Sequence, residues 1–223
     1  MPLTVSVILA VRDGERYLVD AIDTVLSEGV DELVVIDDGS TDGTSSILAA
    51  YGDRIIALHQ PPTGQAAALN HGIGRASGEL LSFQDADDLW VAGRQQRLQH
   101  ALLPELDAVY GSMVEFASPD LEPSDAAQLR INETPQRAEM LQCMLVRRKA
   151  FDKVGLFDTG RQSAHNIDWA SRARAIPLRV GGITDLVFQR RIHATNFGRL
   201  RAAENRVDLT RVMRAHLERK RSL

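Results

Sequence analysis

Between Thr4 and Gln84 the chain changes its hydrophobic period again and again. Short β-rich apolar runs, TVSVILA, ELVVID, RIIALH and GELLSFQ, alternate with segments of helical spacing, as at Leu18, Ala21, Ile22, Val25 and Leu26. The helix in TDGTSSILAAYG is expected to begin at a Ser40 or Thr41 cap and to stop at Gly52, and GQAAALNHGIGRAS supplies the next one. Strands that alternate with helices imply parallel pairing through crossovers, and continuous apolar runs imply strands covered on both sides. The expected fold class is therefore α/β, a mainly parallel sheet with helices on both faces.

After Trp90 the pattern loosens. Ala92 to Leu103 reads as a helix, DAVYGSMVEF as a strand, and AEMLQCMLVRR as a return to the core. Residues 117–137 are polar and rich in Pro, Ser and Asp, which predicts a loop or flap. From Leu200 onward Val207, Met213 and Leu217 lie among Arg206, Arg211, Arg214, Arg219, Lys220 and Arg221, a basic amphipathic helix. Such a helix packs by one apolar stripe, meets a second copy as in a homodimer, or lies against an anionic membrane surface and a lipid-linked acceptor. The 223 residues are 44% hydrophobic with a net charge of −4, an ordinary globular composition without the basic excess of a nucleic-acid binder. The single cysteine, Cys143, excludes an intrachain disulfide or a cysteine metal cluster and reads as a core residue. The N-terminus lacks a basic leader region and no run reaches transmembrane length, so a cytoplasmic protein is expected, with peripheral contact to the inner face of the membrane through the tail.

The acids concentrate where such a sheet binds ligands, at the carboxyl ends of its strands. Arg12 and Asp13 follow the first strand, Asp37 and Asp38 end the second, and Asp85, Asp87 and Asp88 end the fourth. Crowded carboxylates raise one another's pKa unless a cation intervenes. Acids one residue apart on a chain leaving a strand can share a divalent ion, and Mg²⁺ or Mn²⁺ takes oxygen ligands together with substrate phosphates. The pattern points to a metal-bound phosphate compound. The plainer alternative is that the acids cap a turn and the helix after it, a task that suits Asp88. In VVIDDGSTDGT a carboxylate accepts hydrogen bonds without donating, so it would pair with an N–H such as uracil N3. Ser40, Thr41 and Asp42 read as turn and cap residues, and one of Asp37 and Asp38 can be purely structural.

Taken in order, VSVILAVRDGERYLVDAIDTVL, ELVVIDDGSTDGT, GQAAALNHGIGRASGELLSFQDADDLW, LVRRKAFDKVGLFD and RRIHATN resemble a family-2 glycosyltransferase of the GT-A type over roughly residues 4–198. The resemblance implies a Rossmann-like catalytic domain over 1–199. Its nucleotide-binding half would be 1–100 and its acceptor half 101–199, with 200–223 as the basic helix. It also implies transfer of a sugar from a nucleotide donor, often a UDP-sugar, with inversion at the anomeric carbon. Carried over by position, Ala10, Arg12, Glu15, Asp37, Asp38, Asn70, Asp85 and Ala86 would line the nucleotide site, with Asp38 at the base and Asp85 near the ribose. Asp87 would bind the Mn²⁺ or Mg²⁺ that bridges the diphosphate, and His193 would approach it. For Asn70 a helix-packing role is the alternative reading.

Two departures from the family pattern stand out. Where the family usually opens with Pro-Val-Tyr-Asn, this chain has Ala10, Val11, Arg12 and Asp13. Where it commonly carries Glu-Asp, the Asp serving as general base, this chain has His165 and Asn166, and an amide cannot take a proton at neutral pH. Asp168 or His165 would then replace the base, His165 with an unperturbed pKa near 6.5. Failing both, the protein would be a degenerate nucleotide-sugar-binding protein. A nucleotidyltransferase is a third class, but LAVRDGERY is a poor phosphate loop. Trp90 reads as a core anchor, and Trp169 as core or as a platform for an acceptor sugar.

Overall fold

The computed structural model describes residues 3–122, 129, 131–161, 164–196, 208, 210–212 and 214. Its first half runs β1 (Val5–Val11), α1 (Leu18–Leu26), β2 (Glu32–Asp37), α2 (Thr44–Tyr51), β3 (Ile56–His59), α3 (Gln65–Arg75) and β4 (Leu80–Asp85). The second half runs β5 (Leu89–Trp90), α4 (Arg94–Ala101), β6 (Ala108–Ala117), β7 (Gln136–Arg137), β8 (Met144–Arg147), α5 (Arg148–Val154), α6 (His165–Ala173) and β9 (Val180–Ile192). The strands form one sheet in the order β3-β2-β1-β4-β8-β6-β9-β5, with β7 paired to β6.

From β1 the chain steps outward through β2 to β3, then returns past β1 to β4. Right-handed crossovers put α1 and α2 on one face of such a sheet and α3 on the other. On the first face, the Tyr51 hydroxyl of α2 donates to Asp23 of α1 at 2.9 Å. On the second, α3 approaches so closely at Gly72 that a Cβ there would stand 2.5 Å from Ile8 and 2.6 Å from Ile36. Val7, Ile8, Leu9 and Val34 to Ile36 are completely buried, each such side chain contributing about 1.5–3 kcal/mol. α1 buries Leu18, Ala21, Ile22 and Val25, as its periodicity predicts, and leaves Val19 outside.

The expectation of a mainly parallel sheet holds for β3-β2-β1-β4 and again for β6 with β9. It fails between them, because β8 runs antiparallel to both β4 and β6, and β5 antiparallel to β9. A parallel neighbour needs a crossover of a dozen or more residues, usually a helix. Here the chain turns back after β6, pairs as β7 along that strand, and enters β8 from the same end. Cys143 is buried as expected, and burial pushes its thiol up to about 12, so it stays protonated.

The expected loop over 117–137 is bounded by β6 and β7, and its residues 123–128 and 130 lie outside the described residues. Of the expected C-terminal helix, Asp208, Thr210 to Val212 and Arg214 are helical, with Asp208 and Val212 buried, and the rest lies outside the described residues. Among the described residues no helix is long and apolar enough to cross a membrane.

Candidate active site

The order reversal between β1 and β4 is the topological switch point where sheets of this kind open a crevice. Ala10 and Asp85 are register partners there, at the carboxyl ends of β1 and β4. As the chain leaves β4, Asp85, Asp87 and Asp88 each bring an oxygen within 4.8 Å of the others. Asp85 is clamped by amides from two other elements: Gln65 Nε2 of α3 donates to Oδ1 at 3.3 Å and Gln142 Nε2 to Oδ2 at 2.7 Å. Asp88 is buried, its Oδ1 accepting the Arg191 backbone N–H of β9 at 2.7 Å. That bond ties the acidic turn to the sheet instead of capping α4. Asp87 Oδ2 meets His193 Nε2 at 3.0 Å and Asn196 Nδ2 at 3.4 Å.

The electrostatics agree with a cation site. Burial, and then the charge of Asp87, push Asp85 up to about 7, and the same causes raise Asp88 well above the usual carboxylate range. Charge is held here at a cost that a divalent ion would offset. Asp87 with Asp85, Asp88 and His193 form a hard oxygen set plus one imidazole, which fits Mn²⁺ or Mg²⁺.

The end of β9 supports the acidic turn. The buried Arg191 guanidinium lies between the rings of Tyr17, 4.8 Å, and Phe116, 5.0 Å. Its Nε donates to the Asp87 carbonyl at 3.0 Å and its Nη2 to Asp20 at 2.9 Å. The Tyr17 ring also packs on His193 at 4.7 Å, and its hydroxyl donates to Asp120 at 2.8 Å. Tyr17, Arg191, Gln65 and Gln142 were not among the residues expected from sequence. Gln142 did carry a signal, since it is a polar residue inside the apolar run MLQCMLV.

On the other side of the crevice, Asp37 turns into its own loop. It accepts from Ser40 N at 2.8 Å and Ser45 Oγ at 2.9 Å, with His59 Nδ1 3.1 Å away, and these bonds hold its carboxyl below the usual range against burial. Asp38 reaches instead across the sheet end. Its Oδ1 accepts from Thr63 N and Gln60 Nε2, and its Oδ2 from Gly64 N, all at 2.8 Å. Gly39, at φ 76 and with Pro62 where a Cβ would sit, makes that turn feasible.

The departure at Arg12-Asp13 resolves into loop chemistry. Asp13 adopts φ 50 and accepts from Thr41 N at 2.7 Å, which an Asn in left-handed conformation would also do. Arg12 is exposed beside it, and Ala10 is half-buried in the strand. Glu15 closes the same zipper by accepting from Gly43 N at 2.7 Å. Ala86 is half-buried on the acidic turn.

Asn70 and the residues expected on the acceptor side are more heavily engaged than the sequence suggests. Asn70 exchanges both amide groups with the backbone of Phe157, at 2.9 and 3.0 Å, which is a packing task. Trp169 is buried against Phe151 at 4.7 Å and donates to Gly155 O, so it is a core residue and no platform for a sugar. Trp90 is likewise buried in the core. Asp168 spends one oxygen on Arg172 at 2.9 Å and the other on Arg161 at 3.4 Å. His165, buried with its ring edge on Phe157, has no partner for Nδ1 among the described residues. Burial outweighs the nearby Asp208 carboxylate and lowers its pKa to about 4. Asp168→Asn is expected to lower the melting temperature by about 4–8 °C, from loss of about 2 kcal/mol of partly buried pairing. Differential scanning calorimetry checks it.

Comparison with known proteins adds an independent line. The family model described as glycosyl transferase family 2 matches residues 6–155. An uncharacterized glycosyltransferase of Rickettsia typhi is 31% identical over 181 residues, 74% of this chain and 56% of that protein. Of the first three such relatives the chain spans 56%, 32% and 64% of the length. Among solved structures, S. aureus TarS 1–349 in complex with UDP superposes with a TM-score of 0.68 at 18% identity, covering 85% of this chain and 61% of that one. The mannosyltransferase PcManGT of Pyrobaculum calidifontis, in complex with GDP-Man and Mn²⁺, superposes with a TM-score of 0.65 at 20% identity, covering 90% and 60%. Both likenesses are of fold.

Proposed function

The chain belongs to glycosyl transferase family 2, and from that premise we propose that it transfers a sugar from a nucleotide-sugar, a UDP-sugar in the first instance, to an acceptor hydroxyl with inversion. One observation carries the reading: three carboxylates converge within 4.8 Å at the switch point, beside an imidazole brought there by β9. The UDP in TarS and the GDP-Man with Mn²⁺ in PcManGT support the donor class and the ion.

In this reading Asp87 and His193, with Asp85 and Asp88 adjacent, hold Mn²⁺ or Mg²⁺. When bound, the ion neutralises charge gathering on the leaving diphosphate. Asp38 and the backbone of residues 60–64 border the base, Ala10 and Arg12 flank it, and the Glu15 and Asp37 bonds brace the two loops on which they sit. Arg191 fixes the Asp87 carbonyl, so that the acidic turn keeps its shape when charge arrives.

Inversion needs a group that takes the acceptor proton from the face opposite the leaving group. Asp168 is consumed by its two arginines. His165, neutral and with a free nitrogen among the described residues, is the base of this proposal. A base works unprotonated. At saturating Mn²⁺ the rate should therefore be flat above pH 6 and fall only as the pH drops through about 4. His165→Ala should lower kcat roughly 10²-fold. At saturating Mn²⁺, a pH profile of kcat/KM breaking near 6.5, or full turnover in the variant, removes His165 from this role.

The metal competes with protons at Asp85. Because that carboxyl is raised to about 7, Mn²⁺ binding should tighten as the pH rises through that value. Titration calorimetry at pH 6 and pH 8 is expected to show about tenfold tighter binding at the higher pH, and Asp85→Asn to flatten the difference.

The reading as a whole is tested by thermal shift against UDP, UDP-sugars, GDP and GDP-mannose with and without Mn²⁺, followed by slow donor hydrolysis. A melting temperature raised only by nucleotide and metal together, through ligand linkage, supports it. No shift with any of them, or pyrophosphate release from UTP, ends it.

A further inference from the structure

Gln142 stands in the short 3₁₀ turn Leu141–Cys143 that leads into β8. Only 6% of the residue is exposed. Its amide lies against the Asp85 carboxylate, and the chemistry fixes which way round it sits. With a cation held at Asp85, as in the donor reading, the carboxylate is ionised and only accepts, so the N–H side of the amide must face it, as the 2.7 Å Nε2–Oδ2 contact has it. That leaves the other branch, Oε1, buried and without a hydrogen-bond partner among the described residues.

The turn cannot easily relax to remedy this. Its backbone is held from below by Arg94, which is fully buried, lies 3.7 Å over the Trp90 ring, and donates from Nη2 to the carbonyls of Gln142 at 2.8 Å and Met144 at 3.3 Å. Native proteins rarely leave a buried acceptor unpaired, and those that persist call for a functional account.

We propose that Gln142 is a specificity-determining residue whose Oε1 accepts a hydrogen bond from a hydroxyl of the bound nucleotide-sugar. The inference rests on the donor reading above and extends it to a residue on the far side of Asp85. Oε1 is an acceptor and nothing else, so it selects an O–H and disfavours a ring oxygen or a carbonyl at the same place. With Asp85 beside it, the pair offers two neighbouring acceptors, the complement of two adjacent hydroxyls. The ribose and the transferred sugar both carry such groups, and the experiment separates them.

Binding is measured by calorimetry in Mn²⁺ buffer, with UDP, 2′-deoxy- and 3′-deoxy-UDP, UDP-N-acetylglucosamine, GDP and GDP-mannose, on the wild type and on Gln142→Met, which keeps the volume without an acceptor. If the ribose is the source, Gln142→Met binds the free diphosphate about tenfold more weakly, and the wild type loses a similar factor with one deoxy analogue that the variant does not lose again. If the transferred sugar is the source, the variant matches the wild type on the diphosphate and loses about tenfold on the nucleotide-sugar alone. Equal binding of every ligand by the two proteins overturns the proposal and leaves the donor reading standing. A wild type that binds none of the nucleotides overturns the donor reading itself, and the proposal with it. Should Gln142→Met fail to fold, Gln142→Leu takes its place against the same ligands with the same outcomes. In the wild type, indifference to both deoxy analogues together with no gain from the attached sugar also overturns the proposal, whereas discrimination is shared with Asp85 and supports it only where the variant removes it.

Discussion

Replacing Asp87 by alanine should lower sugar transfer about a thousandfold, equivalent to about 4 kcal/mol of barrier, and should abolish the dependence of nucleotide binding on Mn²⁺. The carboxylate is the one that His193 and Asn196 both face, and its charge is one reason that Asp85 and Asp88 titrate so high. Its loss therefore relieves repulsion within the turn while removing the carboxylate that the proposal assigns to the metal. The variant should melt within a few degrees of the wild type, because the lost bonds to His193 and Asn196 are offset by that relief. Inactivity without unfolding marks a residue kept for chemistry at some cost in stability. Steady-state transfer assays, calorimetry in EDTA and in manganese, and a thermal melt make up the test. An Asp87→Ala protein that still transfers sugar at the wild-type rate would falsify the metal assignment.

The second large effect is on folding. Arg94→Ala should cost about 3–5 kcal/mol, and so about 6–20 °C in melting temperature. Arg94 is fully buried, and no carboxylate forms an ion pair with it among the described residues. Burial lowers its pKa to about 9, which still leaves it charged at neutral pH. The charge is spread over carbonyl dipoles, the Ser82 hydroxyl at 3.3 Å and the face of Trp90. Truncation leaves a cavity and takes the guanidinium donor from the Gln142 carbonyl, while the Met144 carbonyl keeps the Ser82 hydroxyl at 3.1 Å. Arg94→Met fills most of that volume and removes the buried cation as well, so its cost should be about half as great. Chemical denaturation of the two variants separates the cavity from the lost hydrogen bonds. A melt of Arg94→Ala within about 2 °C of wild type would show that the turn bearing Gln142 is held by something else.

The two halves of the molecule were unequally legible. From Val5 to Asp85 each strand and helix lies within a few residues of its expected bounds, because crossover helices and doubly covered strands imprint opposite periods on the sequence. Gly52 ends α2 at φ 54 as expected, although the turn before it is closed by Asp42 accepting from Thr44 N, and neither Ser40 nor Thr41 caps it. β8 looks like one more apolar run, but strand direction is written in the connection and not in the apolarity of MLVR. β9 is longer and carries no such signal, since VGGITDLVFQRRI opens with glycines and keeps its first half largely exposed.

The site shows the same division. The acids of the fourth strand end were plain because carboxylates crowd there in sequence. Tyr17, Arg191 and Gln142 are brought to them by tertiary folding over long separations, as Arg191 is across 104 residues to Asp87. On the acceptor side, the resemblance marks the positions of His165 and Asp168 but cannot reveal that Asp168 is already spent on Arg161 and Arg172.

His193 lies 106 residues beyond the carboxylate it faces, delivered by the last strand to join the sheet. A ribosome extends a chain at roughly 5–20 residues per second. For roughly 5–20 seconds of each synthesis, then, the nascent α/β half can fold around a knot of acids whose imidazole has not been made. In the metal-binding proposal, a cation reaching those acids early would meet them without the imidazole. The early sheet must stand on its apolar layers alone, and the imidazole joins the acids only once β9 has been made.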